Sequence, residues 1–196
     1  TFTLAFLRQW EFLNKKREDY SLFLNKAQEQ ERDGIIVPYV DGLDYEKNVG
    51  KGVYETILAG ANERIYIMTP YFIIDDTLAN LIAIKAVSGV DVRIILPEIA
   101  DKKLVYGVSR NNAEKLIDYG VKVYCMKNSF VHSKVVLTEN SAVVGSINMD
   151  LRSFYQQFEC GIETDDNVVL DAVLNDFKLT IASSDQITQK NKLRKH

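Results

Sequence analysis

Apolar and polar positions alternate along this chain with periods that change from segment to segment. Phe2, Phe6, Leu7, Trp10 and Leu13 recur at helical spacing, and a charged stretch, Lys15–Asp19, follows them. A second charged stretch, Gln28–Asp33, ends at Gly34. Residues 1–33 therefore read as a helical extension or linker, with Trp10 as a packing residue, and residues 34–196 as the main domain. Beyond Gly34 the rhythm alternates. "IIVPYVDGLD" is extended and then turn-rich, "GKGVYETILAGANE" is helical, and Arg64–Thr69 is a buried strand. A helix runs from Asp76 through Ser88 and stops at Gly89. "VDVRIILP" is the next strand, "KKLVYGVSRNNAEKLIDYG" a helix stopped by Gly120, and "VKVYCM" a strand. Strands alternating with helices of this length predict an α/β class, a three-layer α/β/α sandwich around a mixed, mostly parallel sheet.

The pattern then breaks. "HSKVVLTENSAVVGS" holds two apolar runs separated by Glu-Asn-Ser, a hairpin signal. "QQFECGIET" adds a strand, and "DNVVLDAVLNDFKLTIASS" closes as an amphipathic helix. The last eight residues, "QKNKLRKH", are basic and read either as a frayed end or as a lipid-surface contact.

Composition narrows the function classes. The chain has 196 residues, 46% hydrophobic and 26% charged, as expected of one globular domain with a core. Its net charge of −3 argues against a nucleic-acid binder, and no nucleic-acid partner is expected. No apolar run reaches the ~18 residues of a membrane span. Two cysteines, Cys125 and Cys160, make no disulfide framework and read as buried thiols. The chain opens on Thr without a signal-peptide pattern and reads as a piece of a longer protein.

The chemistry gathers around the single histidine that is not the last residue. If "HSKVVL" is a strand, His132 and Lys134 share one side. The neighbouring run ends in Gly145-Ser146-Ile147-Asn148, where Gly145 permits a sharp turn and Ser146 and Asn148 aim a hydroxyl and an amide at the same place. A lysine in an apolar run needs a partner, since lysine is rarely buried unpaired. Such a group suits a phosphate. Lys134 offsets its charge, Ser146 and Asn148 donate to its oxygens, and His132 can attack phosphorus. The attacking imidazole needs its far nitrogen held, and Glu159 on the following strand is the candidate. Ser146 lacks the Gly-x-Ser-x-Gly frame of a serine hydrolase. A zinc site lacks ligands and no P-loop is present, so neither metal nor cofactor is expected.

These residues resemble the phospholipase D superfamily, whose motif is His-x-Lys, four residues, Asp, a short gap and Gly-Ser-x-Asn. Here Glu139 stands where Asp is usual, and the gap to Gly145 is one residue shorter than in close relatives. "TPYFIIDDTLANLIAIKAVSGVDVRIILPEIAD", "LIDYGVKVYCMKNSFVHSK" and "NMDLRSFYQQFE" look like the second, C-terminal catalytic half of bacterial cardiolipin synthases, and "TFTLAFLRQWEFL" like the end of the preceding half. The resemblance covers most of residues 1–181 and implies a phospholipase D-like fold. It implies His132, Lys134, Asn148 and Glu159 as catalytic, and Glu139 as a structural motif acid. Ser146, Arg152 and Tyr71 are candidates for substrate contact. Two such histidines act together, one attacking the phosphodiester and one protonating the leaving alcohol. The second motif comes from a missing N-terminal region or from a homodimer. The implied reaction joins two phosphatidylglycerol molecules into cardiolipin and glycerol through a phosphohistidine. The parent would sit at the bacterial cell membrane, and this piece would be soluble and inactive alone. The alternatives are a phospholipase D-type nuclease or phosphodiesterase working as a homodimer, and a silent half-domain serving assembly or lipid binding.

Overall fold

Every residue from Ile94 to Pro97 is buried, because strand β4 (Asp91–Pro97) has helices on both sides and strands at both edges. The structure, a computed structural model, describes residues 1–17, 19–24, 33–42, 48–99 and 101–188. In chain order it contains helix α1 (Phe2–Asn14), β1 (Ile36–Asp41), α2 (Val49–Gly60), β2 (Arg64–Met68), β3 (Phe72–Ile73), α3 (Asp76–Val87), β4 and α4 (Lys103–Leu116). Then come β5 (Lys122–Met126), β6 (Val135–Thr138), β7 (Ala142–Gly145), β8 (Met149–Asp150), α5 (Leu151–Gln156), β9 (Glu159–Thr164), α6 (Asn167–Ala182) and β10 (Ser184–Ile187). Short 3₁₀ turns lie at Tyr20–Phe23 and Ile117–Tyr119.

The main sheet has the order β1-β9-β7-β6-β2-β4-β5-β10. Its two faces bury two separate sets of side chains, as the period of a strand requires. Ile65, Ile67, Val92, Ile94, Val123 and Val136 point to the side covered by α2, α3 and α4. Tyr66, Met68, Ile95 and Leu137 point to the other, where Leu170, Val173, Leu174 and Phe177 of α6 pack. The expected three-layer sandwich with a mixed sheet is present. Its parallel share is smaller than the alternation suggests. Among the described residues only β2–β4 and β4–β5 pair in parallel, and the other five pairings of this sheet are antiparallel. Among the described residues, crossover helices join neighbouring strands only for β2, β4 and β5, whereas α2 joins β1 to β2 and α6 joins β9 to β10 across the sheet. After β5 the chain returns through the β6–β7 hairpin, and β9 and β1 add to that antiparallel side.

Four elements escape the sequence reading. β3 and β8 form a two-residue parallel pair, with Phe72 opposite Met149. α5 is capped by Asp150, whose carboxylate accepts the Ser153 N–H at 2.7 Å. β10 adds an edge strand beside β5.

Among the described residues of the extension, the α-helix ends early. Lys15 adopts the left-handed conformation at φ 54 and ends α1 there. Phe12 meets Phe158 edge-on at 6.0 Å and Leu7 is buried, which ties α1 to the sandwich. Trp10 stacks on Phe6 at 6.3 Å, yet Phe2, Phe6, Trp10 and Leu13 stay exposed. The rest of the charged stretch 28–33 before Asp33, and the basic tail 189–196, lie outside the described residues. Cys125 is buried as expected, whereas Cys160 is only half-buried. Among the described residues no helix is long and apolar enough to cross a membrane.

Candidate active site

β6 and β7 pair in the register Val135–Val144, Val136–Val143 and Leu137–Ala142. The segment entering β6 and the turn leaving β7 therefore meet at one end of the sheet. His132 and Lys134 sit in that entering segment, just ahead of the strand rather than within it. They line one open cleft of about 510 Å³ together with Ser133, Val135, Val144, Gly145, Ser146 and Asn148. The four polar groups singled out by their spacing are thus brought to one space. His132 is exposed to it, and Lys134 is buried.

Lys134 Nζ lies 2.9 Å from His132 Nδ1 and 3.0 Å from Nε2, and donates to the His132 carbonyl at 2.6 Å. An ammonium has donors only, so the ring nitrogen it engages is the unprotonated one. Phe130 lies against the imidazole with ring centroids 5.5 Å apart. Burial pushes the Lys134 pKa down, and the Glu159 and Asp150 carboxylates oppose this.

The turn after β7 is pinned from several sides. Ser146 N–H donates to Cys160 O at 2.8 Å, and Cys160 N–H donates to Ser146 Oγ at 3.0 Å. Ile147 is fully buried, and its carbonyl accepts from the Tyr54 hydroxyl at 2.8 Å. Met149 N–H donates to Thr69 Oγ1 at 3.3 Å. Asn148 Nδ2 donates to Ser153 Oγ at 2.9 Å, while its Oδ1 is buried without a partner among the described residues. Gly145 serves a purpose other than the expected turn, since positive φ among glycines falls at Gly34, Gly89 and Gly120. A Cβ on Gly145 would stand 2.5 Å from Cys160 O, so only glycine lets β7 and β9 approach this closely.

Glu159 is not placed on His132. It accepts a hydrogen bond from Ser146 Oγ. Sheet order explains the difference, since β7 lies between β9 and β6 and Ser146, at the end of β7, intervenes. Burial raises the Glu159 pKa, against the lowering effect of Ser146 and Ser153. Glu139 lies at the opposite end of β6. Its carboxylate accepts the backbone N–H groups of Asn62, Glu63 and Arg64 at 2.7, 3.3 and 3.2 Å, pinning the hairpin to the start of β2.

Two expected contacts do not join the cleft lining. Arg152 is exposed on α5. The hydroxyl of Tyr71 donates to Asp101, which turns it toward the loop before α4. Sequence reasoning missed Thr69, Asp150 and Ser153, which hold the Asn148 turn. The Asp150-x-x-Ser153 spacing is a helix-start signature and was the available signal. Among the described residues no group of His, Cys, Asp and Glu is arranged to hold a metal ion. The cleft thus offers one imidazole, one amino group, one hydroxyl and one carboxamide, a set that can bind an anion beside a group able to attack or transfer protons.

Residues 54–180 match the family described as "Cardiolipin synthase, PLD-like domain". An uncharacterized protein of Streptococcus mutans is 40% identical over 191 residues, covering 96% of this chain and 41% of that protein. Cardiolipin synthase 2 of Bacillus anthracis is 34% identical over 186 residues, covering 94% of this chain and 36% of the enzyme. The chain thus spans about two fifths of the length of these curated relatives. Among solved structures, the phospholipase D family member Nuc of Salmonella typhimurium superposes with a TM-score of 0.68 at 14% identity, over 80% of this chain and all of Nuc. That likeness shows the fold.

Proposed function

The chain belongs to the cardiolipin synthase, phospholipase D-like domain family, and from that premise we propose that it supplies one of two half-sites for phosphatidyl transfer between two phosphatidylglycerol molecules. One histidine attacks phosphorus, a P–N bond forms, and the P–O bond to glycerol breaks. The other histidine protonates the departing glycerol oxygen. The free hydroxyl of a second phosphatidylglycerol then attacks the phosphohistidine, giving its proton back to that second histidine as the P–N bond breaks. The products are cardiolipin and glycerol. His132 is one member of the pair. Lys134 and Asn148 stabilise the charge on the phosphoryl oxygens, Ser146 orders the turn, and Glu159 holds Ser146. Glu139 is structural.

The observation that carries this reading is the convergence of His132, Lys134, Ser146 and Asn148 on one open cleft. Residues 34–196 are the half-domain, and residues 1–33 belong to a preceding half. The exposed apolar side chains of α1 support that division. The second His-x-Lys motif comes from that preceding half or from another copy, and the parent protein works at the bacterial membrane. The nuclease alternative has only a likeness of fold in its support.

The test is conversion of phosphatidylglycerol to cardiolipin by the longer parent protein, by its His132→Ala variant, and by the 196-residue chain as a monomer. The expected results are full activity, a loss of at least about 10³-fold, and no turnover. A fully active His132→Ala parent, or robust turnover by the monomeric chain, overturns the reading.

A further inference from the structure

β4 and β5 run in parallel toward the end of the sheet that carries the cleft. The loop after β4 and the first turns of α4 therefore stand beside the segment leading to His132. Ile99 N–H donates to Ser129 O at 3.3 Å, which joins the two loops. The two acidic side chains of this loop are exposed, but each is already engaged in a hydrogen bond. Glu98 accepts the Asn128 N–H at 2.8 Å, and Asp101 accepts from the Tyr71 hydroxyl. Beside them the loop and helix present Ile99, 51% exposed, Leu104, 88% exposed, and Val108, 49% exposed, with Lys102 and Lys103 exposed between them. Leu104 and Val108 are one turn apart on one face of α4.

A single exposed leucine needs no explanation, but an apolar cluster interleaved with lysines on the rim of a cleft does. Apolar side chains that dip below a headgroup layer, with basic ones at its level, are the pattern of an interfacial contact. The chain as a whole is negative, at −3, so general charge does not draw it to an anionic bilayer. The attraction comes from Leu104 and its apolar neighbours inserting, with Lys102 and Lys103 as the ammonium groups free to meet phosphates while the Glu98 and Asp101 carboxylates are engaged by Asn128 N–H and the Tyr71 hydroxyl.

We propose that Ile99, Leu104 and Val108, flanked by Lys102 and Lys103, rest on an anionic lipid surface and seat the His132 cleft against it. The proposal rests on the reading of the substrate as a membrane phospholipid, and it names the surface by which that substrate is met. A lipid headgroup lifted only slightly from the bilayer then reaches the cleft, because Phe130 and Ser129 link the rim to the imidazole.

The experiment is sedimentation of the chain with vesicles of equal parts phosphatidylglycerol and phosphatidylcholine, and with pure phosphatidylcholine. Leu104→Asp is expected to weaken binding to the anionic vesicles about tenfold, and Lys102→Ala and Lys103→Ala about fivefold each. Binding to phosphatidylcholine is expected to be as weak as that of a variant carrying both Lys102→Ala and Lys103→Ala to the anionic vesicles. All these side chains are exposed, so melting temperatures should match the parent chain. Rim variants that bind like the parent chain overturn the proposal. So does loss of binding on Phe6→Asp or Trp10→Asp in place of the rim changes, or a rim change that alters self-association and leaves vesicle binding intact. His132→Ala is expected to bind normally. A protein that binds through the rim yet shows no phosphatidyl transfer defeats the functional reading and leaves this one standing.

Discussion

Lys134 Nζ lies within 3.0 Å of both ring nitrogens of His132 while its own side chain is buried. The ammonium is held where an anion bound beside the imidazole would be neutralised. That position has a cost in the resting protein, because burial lowers the Lys134 pKa. A lysine with a depressed folded-state pKa destabilises the fold while it is charged, and the penalty fades as pH rises past that pKa. Lys134→Met is therefore expected to lower phosphatidyl transfer about 10²–10³-fold while melting temperature at pH 7 holds or rises. Activity assays paired with thermal unfolding check this. A variant that keeps its activity but melts much lower would make Lys134 a structural residue.

Glu139 offers the opposite case. Burial acts to raise its pKa, but the N–H groups of Asn62, Arg64 and Glu63 outweigh it and the net shift is downward. The stability it contributes is present above the ordinary glutamate value and is lost as pH falls through the lowered one. Glu139→Gln is expected to lose about 1–2 kcal/mol at pH 7, a few degrees in melting temperature. At an acid pH below that lowered value the difference should vanish. Denaturant titrations at the two pH values measure it, and an equal loss at both would remove the charge from the explanation.

The chemistry of the cleft was readable because its residues are contiguous in two short motifs that flank one hairpin. His132 and Lys134 enter β6, and Ser146 and Asn148 leave β7, so the turn alone brings them together. What depends on sheet order was not readable. No local pattern tells that β7 separates β9 from β6, and so Glu159 was assigned to His132 when it meets Ser146. The parallel share was overstated for the same reason, since helix–strand alternation does not tell which strands are neighbours, and α2 and α6 join strands that are not. β10 was missed because Ser184–Ile187 is polar at three of four positions and pairs only at an edge. β3 and β8 are too short to carry any period.

Gly145 follows from the same geometry. Its missing Cβ is what allows β7 to lie against β9, with Cys160 O at 2.5 Å from where that atom would be. Backbone cannot retreat as a flexible side chain would. Gly145→Ala is expected to cost about 1–3 kcal/mol and to shift Ser146 with it. Gly52→Ala is the control, because a Cβ there meets nothing within 4 Å. Equal melting temperatures for the two variants would contradict the close-approach account.

Glu159 couples stability to activity with opposite signs. Burial raises its pKa, more than the Ser146 and Ser153 hydroxyls lower it. A carboxylic acid raised in the folded state contributes stability that is full below its unfolded value and is lost as pH rises through the raised one. At neutral pH the ionised side chain is thus a strain on the fold, and Glu159→Gln should be as stable as the parent protein or more so. At pH 4 the two should not differ. Activity should move the other way. Ionised Glu159 accepts the Ser146 hydroxyl and so fixes the turn that carries Asn148. The acid limb of the pH–rate profile should then have its midpoint above the ordinary glutamate value of 4.5. Glu159→Gln should abolish that limb and reduce transfer about 10–10²-fold, the scale of a misplaced binding group. Ser146→Ala should show a similar loss, and the double variant little more, because both remove the same contact. A Gln variant that keeps the parent's acid limb, or two losses that multiply, would show that Glu159 does not act through Ser146.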